Sequence, residues 1–193
     1  ESAMPQATPA SQPSRRRALC SVALAVALLA AAPAPALADG VRVVPLVRDG
    51  HVLVSCELAD GFTDEVRAVI QSGLQTTFTY RIELRLKVPA WVDRTVASAV
   101  GSATVEYDSL TRRHTVTRTL DGRVEESRVI DDEAEVRRWL TTFDRMALFS
   151  TAKLEPNREY YLVVSAKARP RNAPSFWPWD SAPNGSAKFT FIP

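Results

Sequence analysis

The chain has 193 residues, with 24 lysines and arginines, 22 aspartates and glutamates, and a formal net charge of +2. Residues 1–38 hold three arginines and one glutamate, which leaves 21 basic and 21 acidic residues in 39–193. Residues 39–193 are enough for one domain with a full core, and their neutral charge gives no argument for a nucleic-acid partner.

Residues 1–38 have the pattern of an export signal. The arginines Arg15–Arg17 precede an apolar run from Ala18 to Ala32, and Ala36-Leu37-Ala38 is a small-x-small cleavage motif. This run is shorter than the roughly 20 residues that a membrane span requires. We therefore expect cleavage before Asp39, with a retained anchor as the alternative, and an exported protein of the periplasm or cell envelope.

The sequence does not decide between two export routes. Ser14-Arg15-Arg16-Arg17-Ala18-Leu19 resembles a twin-arginine signal, although Ala18 stands where phenylalanine is usual. An ordinary Sec signal is the favoured interpretation. Cys20 begins the apolar run, whereas a lipoprotein cysteine follows such a run, so no lipid anchor is expected.

The domain begins with a predicted β-hairpin. Val41–Arg48 and His51–Leu58 flank Asp49-Gly50, a two-residue loop that favours hairpins because both residues tolerate positive φ. Cys56 lies in an apolar row of the second strand. We expect this thiol to be buried and inert, with an interchain disulfide as the alternative.

Strict alternation of apolar and polar residues in TFTYRIELRLKV, residues 77–88, predicts a half-buried antiparallel strand with one solvated face. A second Asp-Gly loop, Asp121-Gly122, predicts another hairpin. Further strands are predicted at Ala97–Asp108, His114–Leu120, Arg123–Ile130, Tyr160–Arg169 and Lys188–Ile192.

Two helices are predicted between these strands. Thr63 is the expected N-cap of the first, whose apolar stripe includes Val66 and Ile70. The second should run from Glu133 to about Ala147, with Asp132 as its cap. The predicted fold is α+β: an antiparallel β-sheet of about eight strands, in a sandwich or an open barrel, with two helices in one domain over residues 39–193.

No catalytic, metal or cofactor site is predicted. Residues 39–193 contain only His51 and His114, both expected to be surface strand residues, and no paired-cysteine or metalloprotease spacing is present. The acids Asp131, Asp132, Glu133 and Glu135 favour capping of the second helix over calcium binding. A hydrolase whose acids converge from different strands is the enzyme alternative.

Phe176, Trp177 and Trp179 lie in a proline-rich segment that cannot be a helix or an inner strand. One interpretation is an exposed aromatic patch that binds another envelope protein, with a membrane surface as the weaker alternative. The other is a loop that folds back over an open end of the sheet. The sequence leaves the oligomeric state open.

The stretches LQTTFTYRIELRL, WVD and VEYDSLTRRHTV, followed by a helix and a tyrosine-rich strand, resemble a bacterial exported-protein family, domain of unknown function 4390. The similarity covers most of residues 41–169. Its most specific motifs are Trp91-x-Asp93 and Tyr107-Asp108-x-Leu110-Thr111-Arg112. The resemblance implies an envelope location and one compact domain, and it implies no activity and no catalytic residues.

Both motifs have an architectural interpretation. We expect Asp108 to hydrogen-bond the turn backbone, Leu110 to tuck under the turn and Tyr107 to face inward. Trp91 and Asp93 should then stabilise the other end of the same strand pair. The leading functional hypothesis is a non-catalytic envelope module that binds or scaffolds a partner, and a small-molecule carrier with an apolar cavity is a further alternative.

Overall fold

A computed structural model describes residues 40–173 and 183–192, and within them the chain forms nine strands and two α-helices. This confirms the α+β class. The helices are α1 (Asp64–Gln71) and α2 (Glu133–Thr141). The strands are β1 (Val41–Arg48), β2 (His51–Leu58), β3 (Thr76–Leu86), β4 (Arg94–Asp108), β5 (Arg113–Leu120), β6 (Arg123–Ile130), β7 (Thr142–Ser150), β8 (Glu159–Pro170) and β9 (Asn184–Thr190).

The strands form two antiparallel sheets rather than a closed barrel. Their orders are β1-β2-β7 and β6-β5-β4-β3-β8-β9. Alternate residues of β2 and β3 are buried, as the predicted period of two requires. These rows contribute to a single hydrophobic core, which α1 and α2 also join through Val66, Ile70, Val136 and Leu140.

The local signals for turns and caps are confirmed. Asp49 and Asp121, the first residues of the two Asp-Gly loops, have positive φ values of 50° and 47°. The Thr63 side chain accepts a hydrogen bond from the Val66 backbone N–H, and Asp132 accepts from the N–H groups of Ala134 and Glu135. Both helices therefore begin where their cap residues predict.

The prediction that the second helix continues to Ala147 is wrong. It ends at Thr141, and the chain continues as β7, which pairs antiparallel with β2. Pairing with β2 satisfies backbone groups of both strands and places the Phe143 ring against Tyr80, with their centroids 4.8 Å apart. The apolar residues of this segment have helical spacing in the sequence, but they belong to a strand whose pairing with β2 has two register shifts. For this reason, β7 was not predicted from the sequence.

The last strand was predicted at Lys188–Ile192, but β9 spans Asn184–Thr190 and pairs with β8. Gly185, which precedes the predicted strand, lies inside the observed one. A Cβ atom at this position would overlap the Val41 carbonyl. The missing side chain therefore lets β1 of the three-stranded sheet approach β9 of the six-stranded sheet closely.

Candidate functional site

The loop between β3 and β4, residues 87–93 and hereafter the Trp91 loop, presents two large apolar side chains. Trp91 is 80% exposed and Val92 is 79% exposed. Ala90, just before them, has a φ of 61°, which is uncommon for a residue with a side chain. The loop therefore presents an aromatic and an aliphatic residue outward through a specific turn conformation.

Asp93 holds the base of the Trp91 loop together. Its Oδ1 accepts a hydrogen bond of 3.1 Å from the Val88 N–H, and its Oδ2 accepts one of 2.7 Å from the Tyr161 hydroxyl on β8. The Trp91 N–H also donates to the Val88 carbonyl at 3.2 Å. The Tyr161 and Val88 hydrogen bonds lower the pKa of Asp93, because both stabilise its ionised form.

A surface pocket of about 440 Å³ lies beside the Trp91 loop, and the buried side chain of Leu86 forms part of its wall. Charged groups line its other side. Glu155 lies between two arginines: its Oε1 is 3.6 Å from Arg94 Nη2, and its Oε2 is 3.2 Å from Arg158 Nε. The site therefore combines protruding apolar side chains with a concave pocket whose wall includes charged side chains.

The architectural expectation for the first motif is met only in part. Asp93 stabilises the connection that leads into β4, but its partner on a strand is Tyr161 of β8 and not a residue of the β4–β5 pair. Trp91, which was expected to stabilise the strand pair, instead extends into solvent. The sequence carries one signal for this exposure, since Trp91 follows Pro89 in a short connection between two strands.

The second motif forms the β4–β5 turn at the opposite end of β4. Asp108 accepts hydrogen bonds from the Leu110 N–H and the Thr111 hydroxyl, both at 2.8 Å, as predicted for its turn role. These two bonds lower the pKa of Asp108. Leu110 does not tuck under the turn: it is 93% exposed, because the Asp108 hydrogen bonds stabilise the turn without it. Tyr107 is half-buried against the core, as expected.

The motif residues Tyr107 and Arg112 contribute to an open cleft of about 510 Å³, hereafter the polar cleft. His114 also lines it and is only 7% exposed, so the expectation of a surface histidine is wrong. Its ring packs against Tyr107, 4.8 Å between centroids, because both residues occupy the inward register of paired strands. The remaining lining residues are Gln71, Asp131 and Glu133.

The four acids around the start of α2 each have a local partner, and Asp132 has the capping role that was predicted. Asp132 caps the helix, and the other three contact arginines: Asp131 with Arg113, Glu133 with Arg67, and Glu135 with Arg128. Across residues 40–173 and 183–192, no group of three or more His, Cys, Asp or Glu residues could hold a metal ion.

Cys56 is a free, buried thiol, as predicted. Burial raises its pKa to about 12, so the reactive thiolate is scarce at neutral pH. His51 lies on the β1–β2 hairpin, where its Nδ1 is 3.0 Å from the Asp49 carbonyl oxygen. Cys56 is therefore a poor candidate for a thiolate nucleophile.

The environment of Arg118 was not predicted from the sequence. Its Nη2 donates to the Trp139 and Thr142 carbonyls at 2.8 and 2.6 Å, where α2 ends and β7 begins. The guanidinium also lies 4.1 Å from the Trp139 ring and 4.6 Å from the Phe143 ring. Desolvation lowers the pKa of Arg118. The contacts hold the helix–strand junction in place.

The predicted partner-binding residues Phe176, Trp177 and Trp179 lie outside the described residues. Their role therefore stays a prediction.

The sequence model of a family described as a domain of unknown function (DUF4390) matches residues 41–177. The chain is a member of the DUF4390 family. This match contains the whole Trp91 loop, the β4–β5 turn and both helices. No curated protein and no solved structure matches the chain. In the described part of this DUF4390 protein, no helix has the length and hydrophobicity needed to cross a membrane.

Proposed function

We propose that this DUF4390 protein is a non-catalytic binding or scaffolding module of the periplasm or cell envelope, and that it docks onto a partner protein through Trp91 and Val92. The observation that carries the proposal is the exposure of both side chains on a loop that Asp93 holds in place. Export, through the Sec or the twin-arginine route, rests on the signal pattern of residues 1–38.

The surroundings of the Trp91 loop favour a protein over a membrane surface. An apolar centre with a polar rim and an adjoining pocket is the usual anatomy of a protein–protein hot spot. The nearby cations have local counter-charges, which weakens attraction to anionic lipid. Two carboxylates each contact two cations: Glu155 with Arg94 and Arg158, and Glu159 with Lys87 and Lys188.

The non-catalytic role is proposed because Cys56 and the acids of the polar cleft are poorly suited to catalysis. The raised pKa of Cys56 disfavours a thiolate nucleophile. Asp131 and Glu133, the two carboxylates that share the polar cleft, both contact arginines, as structural acids commonly do. A hydrolase that used the polar cleft would need one of these acids to exchange protons with a substrate.

The proposal can be tested by photo-crosslinking in cells of the native host. A photo-reactive amino acid would replace Val92 in the tagged full chain. Leu110, a second highly exposed aliphatic residue at the other end of β4, supplies the matched control position. We expect a discrete protein adduct at position 92 that is lost with Trp91→Ala, and no such adduct at position 110.

Three outcomes would contradict the proposal. Equal capture at positions 92 and 110 would indicate random collision, and lipid adducts alone would identify the loop as a membrane contact. Loss of the adduct through unfolding would show as a lowered melting temperature of Trp91→Ala. We expect no such change, because a largely exposed side chain contributes little to stability.

A further inference from the structure

A second candidate binding site lies in the polar cleft, at the end of β4 away from the Trp91 loop. Its walls come from three separate parts of the chain: the β4–β5 turn, the end of α1 and the start of α2. At about 510 Å³, it has room for a small polar molecule. Neither family motif was predicted to form a ligand site.

The charges of the polar cleft are unequally compensated. Asp131 contacts Arg113 at 3.2 Å, and Glu133 contacts Arg67 at 2.5 Å, so both acids have a cationic partner. Arg112 makes no ion pair with any described residue. The cleft therefore presents one uncompensated guanidinium, a group whose planar geometry suits a carboxylate.

His114 is the second observation that indicates a ligand. The side chain is more than nine-tenths buried and lines the cleft, yet its Nδ1 makes no hydrogen bond with a described residue. A buried polar atom without a partner is costly, and a ligand, an ion or an ordered water that supplies a hydrogen bond removes that cost. Tyr107, whose ring packs on His114, and Gln71 add further polar groups to the same cleft.

We propose that the polar cleft binds a small organic carboxylate, with Arg112 as its ion-pair partner and His114 as a polar contact. The compensated acids, Asp131 and Glu133, keep the cleft polar without repelling the anion as strongly as free carboxylates would. This binding is independent of docking through the Trp91 loop, so each proposal can fail without the other.

The test is titration of the full chain with succinate, followed by calorimetry and by the NMR signals of the histidine rings. Succinamide, which has the same length and no charge, is the control compound. We expect succinate, and not succinamide, to shift the His114 ring signals while those of His51 stay unchanged. Arg112→Gln should weaken succinate binding about tenfold or more, since it removes a charge-assisted hydrogen-bonding group.

Two variants separate a site from general electrostatics and from misfolding. Arg123→Gln removes the same charge from an exposed position on β6 and should leave succinate binding unchanged. His114→Phe keeps a ring against Tyr107 and removes the unpaired nitrogen, so it should fold at least as stably as the parent and bind succinate more weakly.

The proposal is overturned by equal weakening in Arg112→Gln and Arg123→Gln, by equal binding of succinamide, or by no binding at millimolar succinate. It is also overturned if His114→Phe is clearly less stable than the parent without ligand. That result would mean that an ordered water or a structural role satisfies the Nδ1 atom.

Discussion

Arg118→Met removes the guanidinium at the junction between α2 and β7 while keeping an unbranched apolar side chain. The substitution leaves the Trp139 and Thr142 carbonyls without their donor, and each lost hydrogen bond to a charged group is worth about 1.5–3 kcal/mol. The contacts with the Trp139 and Phe143 rings are lost as well, at about 0.5–1 kcal/mol each. Release of the desolvated cation offsets part of this loss.

We therefore expect the free energy of unfolding to fall by about 2–4 kcal/mol, as measured by urea denaturation of the full chain. Arg128→Met is the matched control. Arg128 lies 4.2 Å from the Trp139 ring, but its ionic contacts are with the surface residues Glu126 and Glu135. Arg128→Met should lower the free energy of unfolding by less than about 1 kcal/mol. Equal effects of the two variants, or stabilisation by Arg118→Met, would refute the role assigned to the carbonyl contacts.

Three further predictions concern other parts of the fold. Cys56 should resist thiol reagents at pH 8 in the folded protein and react in denaturant, because burial raises its pKa to about 12; rapid labelling of folded protein would contradict this. Because the folded pKa of Asp93 lies below its usual 3.8, its contribution to stability is present above that value and is lost as the pH falls through the folded pKa. Protection of the Val88 amide against hydrogen exchange, expressed relative to its intrinsic exchange rate at each pH, should fall over that acidic range, and Asp93→Asn should lack this pH dependence. Gly185→Ala should destabilise the protein by about 1–3 kcal/mol, because its Cβ would overlap the Val41 carbonyl, and an unchanged unfolding midpoint would count against that close approach.

The elements that the sequence predicts well depend on neighbouring residues. The β1–β2 hairpin was predicted with its observed bounds, since the Asp-Gly loop and the alternation on both sides are local signals. The starts of both helices were correct for the same reason: a cap residue acts within its own first turn.

The elements that the sequence predicts poorly depend on distant partners. β7 is a strand because it pairs with the edge of β2, which lies nearly 90 residues earlier in the chain. The sequence around β7 contains no pattern that indicates this pairing. Gly185 lies inside a strand because β9 pairs with β8, where it is opposite Val164.

The same distinction applies to the two candidate sites. The residues of the Trp91 loop and the β4–β5 turn were singled out as motifs, but the exposure of Trp91 and Leu110 was not predicted. Trp91 and Leu110 extend into solvent because Asp93 and Asp108 stabilise the turns without them. The polar cleft could not be predicted, because it requires residues that the fold brings together from α1, α2 and the β4–β5 turn.

The most direct test of the docking proposal is the affinity of the purified full chain for the partner captured at position 92, measured by calorimetry. A hot-spot tryptophan contributes at least about 2 kcal/mol, so Trp91→Ala should weaken binding by about 30-fold or more. Leu110→Ala, at a similarly exposed site, should leave the affinity unchanged. Equal affinities for Trp91→Ala and the parent chain would contradict docking through the Trp91 loop.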